Sequence, residues 1–145
     1  MNRTCALLLS LAIALWACAA VQYATGPTFI EASPPPAPKA TLYFYRVDTS
    51  LSAMPTIKLN GEPFVEIPVL GYSYAYLTPG VYRVSVAYRG GDYPLTTEFV
   101  AKEGQVVFMR FYDTAGLKRI SVPPEKKALE EIRDHRFVEP LTRDF

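Results

Sequence analysis

The chain has 145 residues, half of them hydrophobic, with 15 Lys and Arg against 14 Asp and Glu. That length suits one domain and is short for two. A balanced charge argues against nucleic acid as a partner and against electrostatic recruitment to a membrane surface.

The first element in chain order is a leader. Arg3 precedes an apolar run from Ala6 to Ala17, broken only by Ser10, which is the anatomy of a secretory signal. The run gives way to Gln22, Thr25, Gly26 and Pro27, so it falls short of the roughly 20 apolar residues that a spanning helix needs. Leu15-Trp16-Ala17-Cys18 resembles a lipobox. The resemblance implies a lipoprotein signal peptide over residues 1–17 and lipidation of Cys18 by a diacylglyceryl thioether and an N-acyl chain such as palmitate. Cleavage after Ala17-Cys18-Ala19 and an uncleaved anchor are the competing readings. One acyl chain binds a membrane reversibly, whereas two or more hold a protein there. Ala19, where an Asp would retain the protein, resembles the outer-membrane sorting pattern of Gram-negative lipoproteins. The expected address is therefore the cell envelope, at the periplasmic face of the outer membrane. Removal of residues 1–17 takes Arg3 and Cys5 but no acid, leaving 14 charges of each sign. With Cys18 consumed by lipid, no disulfide can form, and the fold must rest on its hydrophobic core.

Residues 18–39 are expected to form a lipidated cysteine and a proline-rich tether. Gly26-Pro27 and Ser33-Pro34-Pro35-Pro36-Ala37-Pro38 favour an extended polyproline conformation, which would hold a domain up to about 65 Å from the bilayer. Pro35 and Pro38 also match a generic proline-motif spacing, but such motifs are short and common, and a stalk is the preferred reading.

The globular part is expected over residues 40–135. Thr41 to Val47 reads as a strand with β-formers on both faces. Thr56 to Leu59 and Phe64 to Ile67 flank Asn60-Gly61, the dipeptide suited to a type I′ hairpin turn, and Pro63 implies that the second arm is an edge or starts only after that residue. Tyr72 to Leu77 is extended and ends at Thr78-Pro79-Gly80. Tyr82, Val84, Val86 and Tyr88 alternate with Arg83, Ser85 and Ala87, which places the first set inward. After a turn at Arg89-Gly90-Gly91-Asp92, Leu95 to Val100 continues as strand. Val106 to Tyr112 is apolar on both faces and therefore central, and Leu117 to Val122 follows. About seven short antiparallel strands at this spacing predict an all-β sandwich. A short helix closes the domain, with Pro124 at its first position, Glu125 in its first turn and an apolar stripe of Ala128, Leu129 and Ile132. Residues 136–145 are a tail, in which Phe137, Val138 and Leu141 are candidates for docking.

Tyr43-Phe44-Tyr45-Arg46, Pro55 to Gly61, Leu77-Thr78-Pro79-Gly80-Val81-Tyr82, the Glu98 to Phe108 return and the terminal helix occur in that order. Together with the lipobox, this resembles the bacterial lipoproteins of the domain-of-unknown-function-2846 family, with a wider likeness to PEGA-type surface β-domains. The resemblance covers about residues 40–135 and implies a fold. It brings no catalytic residues.

Reactive constellations are not evident. His135 stands alone in a charged stretch and reads as a solvated surface residue, without the partners that acid–base catalysis requires. Ser73 in Gly71-Tyr72-Ser73-Tyr74-Ala75 lacks the final glycine and following helix of a nucleophile elbow. Ligand clusters for zinc or calcium are missing, Gly90-Gly91 has no helix behind it to cradle phosphate, and no cofactor is expected. Ten tyrosines and eight phenylalanines read first as filling for half-buried strands. The expected function is that of a non-enzymatic, membrane-anchored structural or protein-interaction module facing another envelope component. The alternative is a carbohydrate or peptidoglycan module in which Tyr72, Tyr74, Tyr76 or Tyr93 stacks on sugar rings.

Overall fold

The computed structural model describes residues 22–47, 54–88, 91–114 and 117–145, with only the backbone of 91–94. The first strand, β1 (Ala40–Arg46), is buried along its whole length. It lies at the middle of a five-stranded sheet because its sequence is apolar on both faces and each face needs a cover. The remaining strands are β2 (Thr56–Leu59), β3 (Glu62–Glu66), β4 (Gly71–Leu77), β5 (Gly80–Tyr88), β6 (Gly91–Ala101), β7 (Val106–Thr114), β8 (Leu117–Ser121) and the two-residue β9 (Arg136–Phe137). The five-stranded sheet has the order β8-β7-β1-β4-β9, and the second sheet the order β3-β2-β5-β6.

The inner faces of the two sheets meet in one core. Leu42 and Phe44 of β1, Ala75 and Leu77 of β4, and Val107, Met109 and Phe111 of β7 cluster with Ile57 and Leu59 of β2 and with Tyr82, Val84 and Val86 of β5. Burial of each large apolar side chain here is worth about 1.5–3 kcal/mol. Among the described residues this is the all-β sandwich with one short helix that the sequence predicts. The strands number nine among the described residues, and not every pairing is antiparallel. β1 pairs in parallel with β7, from Thr41↔Val106 to Arg46↔Phe111, and β4 pairs in parallel with β9. Parallel neighbours need a long crossover, and between β1 and β7 the whole four-stranded sheet is threaded.

Local turn chemistry follows the residues. Asn60 and Gly61 take positive φ (50° and 89°) between β2 and β3, the backbone state that a type I′ turn imposes on both central residues. Pro63 sits on the edge strand β3, beside a register shift between Ile57 and Lys58, where a missing amide costs no ladder bond. The helix α1 (Glu125–Ile132) is capped by Pro124 rather than starting on it, with the Ala128 amide donating to the Pro124 carbonyl. Its buried residues are Ala128 and Ile132.

The largest departure from expectation lies at the two ends of the described chain. The proline-rich stretch is not a free stalk: it is laid along the outer face of the five-stranded sheet. Tyr23 bridges to Val69, and Thr28 to Arg136. Phe29 sits edge-on to both Tyr43 and Tyr72, with ring centroids at 5.7 and 5.1 Å. The Ala32 amide donates to the Tyr43 hydroxyl (2.6 Å), the Ile30 amide to the Tyr72 hydroxyl (3.2 Å), and the Tyr76 hydroxyl to the Ser33 carbonyl (3.1 Å). Polyproline backbone has no internal hydrogen bonds, so its free amides and carbonyls are available to the tyrosine hydroxyls of β1 and β4. The tail docks as well. Val138 and Phe145 amides donate to the Tyr72 and Tyr76 carbonyls, and the Leu141 amide to the Phe64 carbonyl. The folded body thus extends past residues 40–135 on both sides.

Candidate interaction surface

The two sheets differ in what covers their outer faces. On the five-stranded sheet, Tyr43, Tyr45, Tyr72 and Phe108 form a second apolar layer with Ala128 and Ile132 of α1, joined by Phe29, Ala32 and Phe137. Tyr43 stacks on Phe108 at 4.9 Å with the rings 8° from parallel. Among the described residues, nothing covers the outer face of the four-stranded sheet in this way. β5 turns Arg83 and Ser85 outward, β6 turns Thr96 and Glu98, and the β2–β3 turn contributes Asn60 and Gly61. Together with Val81 these line a shallow depression of about 580 Å³.

The ladder geometry sets this surface. Arg83 and Glu98 are directly opposed in the β5–β6 register, and Arg83 Nε and Nη2 both donate to Glu98 Oε1, at 3.0 and 2.8 Å. Val81 and Val100 are also opposed, and they are 65% and 53% exposed. Two cross-strand valines left in water beside a charged pair make a small apolar patch with a polar border, the make-up of a contact surface rather than of plain solvated sheet. Asn60 fixes one rim, its Oδ1 accepting from the Arg83 amide at 2.8 Å while its own amide donates to the Arg83 carbonyl.

The covered face holds a polar network. Tyr45 donates to Glu131 Oε2 (2.8 Å) and Arg110 Nη1 to Glu131 Oε1 (2.7 Å), while Arg110 Nε donates to Ser121 Oγ (3.2 Å). This ties α1 to β1, β7 and β8. Burial, reinforced by the Glu131 carboxylate, raises the Tyr45 pKa, and burial pushes the Tyr43 hydroxyl up to about 12 against the opposing hydrogen bond from Ala32. Both phenols are locked in the neutral form. A further buried set joins β5 to β7 and β8, where Tyr88 donates to Asp113 Oδ2 (2.7 Å) and Lys118 Nζ lies 3.8 Å from the Tyr88 ring centroid.

The residues singled out from sequence are placed differently from expectation. Cys18 lies outside the described residues, as does the side chain of Tyr93. Tyr72 is 3% exposed, wedged against Phe29 and Phe137, so it cannot stack on a sugar without unseating them. Tyr74 and Tyr76 are half-buried; they touch each other, Phe137 lies against Tyr74, and Arg143 reaches over Tyr74. His135 is not a solvated surface residue but 4% exposed. Its Nε2 donates to the Arg46 carbonyl (2.8 Å), its ring meets Tyr45 edge-on, and Nδ1 has no hydrogen-bond partner among the described residues. Burial lowers its pKa, despite the nearby carbonyls of Arg46 and Glu131. Ser73 is buried in β4 and donates to the Val138 carbonyl (2.8 Å). Among the described residues no group of three His, Cys, Asp or Glu is placed to hold a metal, and no helix is long and apolar enough to cross a membrane. The outer face of the four-stranded sheet was not singled out from sequence. Its signal was the outward set Arg83 and Ser85, with Val81 on the same side.

No family model matches the chain, and neither a curated protein nor a solved structure matches it significantly.

Proposed function

We propose that this chain is a lipid-anchored protein of the cell envelope whose sandwich binds another envelope protein and does not turn over a substrate. The observation that carries the binding reading is the unequal cover of the two sheets. The middle strands β1, β4 and β7 of the five-stranded sheet are covered on both sides, while the four-stranded sheet presents Val81, Val100, Arg83 and Glu98 to solvent. An exposed apolar pair beside a cross-strand ion pair suits a protein partner, because the apolar part supplies energy and the charges supply register. The side chains nearest to reaction chemistry in the sequence, Ser73 and His135, are both spent on hydrogen bonds that hold the fold together. Anchoring rests on the likeness of residues 15–18 to a lipobox, and the family likeness rests on the turn and strand motifs of residues 40–135. The glycan alternative is less favoured because Tyr72 packs on Phe29, Tyr74 on Tyr76 and Phe137, and the Tyr76 hydroxyl bonds the Ser33 carbonyl.

The test is photocrosslinking in living bacterial cells. A photoreactive residue at Thr96, on the open face, is expected to give a discrete adduct with another envelope protein, and one at Lys126 on the exposed side of α1 is not. Adducts of equal yield at both positions, or none at Thr96, would overturn the assignment of this face. The anchor is tested separately with a fatty-acid analogue: uptake is expected to be lost in Cys18→Ser, and undiminished uptake would remove the lipidation site.

A further inference from the structure

The docked N-terminal segment fixes how the domain stands on its membrane. Cys18 and Gln22 are four residue steps apart, a reach of about 14 Å at full extension. From Gln22 onward the chain is held to the sheet. The Val69 amide donates to the Gln22 carbonyl (3.0 Å), and the Ala24 amide to the Val69 carbonyl (3.1 Å). The segment then runs down the sheet past Arg136, Phe29 and Ser33 to Lys39, where the Gly104 amide donates to the Lys39 carbonyl. Val69 adjoins the start of β4, which is the end of the sandwich where β1 finishes. Lys39 and Gly104 lie at the opposite end, where β1 begins.

We infer that the bilayer surface is a docking partner of one particular end of this sandwich, the end carrying Tyr23, the 67–70 turn and the residues after α1. The inference rests on the anchor reading above and adds the orientation. A leader or lipid at Cys18 leaves no spacer long enough to lift this end clear of the headgroups, since the proline-rich residues that would have served as a stalk are spent on the sheet. The chemistry of that end agrees. Tyr23 is 54% exposed, and tyrosine is enriched at membrane–water interfaces. Arg133, 3.7 Å from the Asp134 carboxylate, and Arg136, which donates to the Gly26 carbonyl, are exposed at the same end, where their remaining donors can meet lipid phosphates. The far end stands off by the length of β1, about 23 Å for seven residues.

The test uses the mature chain, purified from bacterial membranes with whatever lipid Cys18 carries, reconstituted in phosphatidylethanolamine–phosphatidylglycerol vesicles that contain a headgroup nitroxide lipid. The one tryptophan of the sequence, Trp16, leaves with the leader when Cys18 is lipidated, so an introduced tryptophan reports alone in the anchored protein. Tyr23→Trp marks the near end and Glu103→Trp the far end. Quenching of Tyr23→Trp is expected to exceed that of Glu103→Trp at least threefold. A twenty-residue Gly-Ser insertion after Ala20 is expected to bring the two to the same low level. Equal quenching without the insertion would overturn the orientation while leaving the anchor standing. Failure of the chain to float with the vesicles would remove the anchor, and the orientation with it.

Discussion

Phe29→Ala separates a docked segment from a stalk. The Phe29 ring is half-buried between Tyr43 and Tyr72, edge-on to both. Each aromatic pair is worth about 0.5–1.5 kcal/mol beyond the area it buries. Partial burial of the ring adds about 1 kcal/mol, less than the full value for a core phenylalanine. The sum is about 2–4 kcal/mol, whereas an exposed stalk residue would fall within roughly 0.5 kcal/mol of zero. Urea unfolding followed by circular dichroism measures it. With a slope of about 2 kcal/mol/M, the midpoint should fall by about 1–2 M at unchanged slope. Tyr43→Phe should cost about 1 kcal/mol by stranding the Ala32 amide. A Phe29→Ala midpoint within 0.2 M of the parent would refute the reasoning and return residues 22–39 to the role of a tether.

Three further outcomes are expected. Stability should fall with acid because of His135: its folded pKa is lowered, so below the ordinary value of about 6.5 the unfolded chain binds a proton that the folded chain resists. Urea midpoints measured downward from pH 7 should decline, and His135→Gln should flatten the decline that begins near that value; an equally steep decline in the variant would count against the assignment. Glu131→Ala should cost about 2 kcal/mol by taking the acceptor from both Arg110 and Tyr45, read as a lower thermal midpoint, with α1 loosened first in amide exchange. Gly61→Ala should cost about 1 kcal/mol, because φ of 89° is open to glycine and strained for alanine, and an unchanged midpoint would mean that the turn relaxes.

Strand identity was legible wherever one short window held the whole signal. Tyr82, Val84 and Val86 alternate and do face inward, Asn60-Gly61 is the turn, and the doubly apolar Val106 to Tyr112 is interior to its sheet. Pairing was not legible, because the parallel registry of β1 with β7 depends on residues far apart in the chain. The same non-locality hid the docked segment. Ser33 to Pro38 reads as polyproline in isolation, and only the outward tyrosines of β1 and β4 give its backbone somewhere to bond. Phe29 and Ile30 just ahead of the prolines were the available hint. His135 was misread for a related reason: its charged neighbours Arg133, Asp134 and Arg136 are all exposed, yet the ring alone turns inward to the end of β1.

The parallel registry of β1 with β7 bears on how the chain is made. Thr41 leaves the ribosome 65 positions ahead of its partner Val106, and at about 5–20 residues per second that is a wait of several seconds. During it, Thr41 to Tyr45 is an uncharged β-forming stretch whose β7-side edge stays open even once β4 can cover the other edge, the composition that seeds intermolecular strand pairing. Its nearest safeguard is Arg46, a charge at the end of the stretch. A holdase that covers this segment until β7 emerges should therefore raise soluble yield more than one that acts on the completed chain.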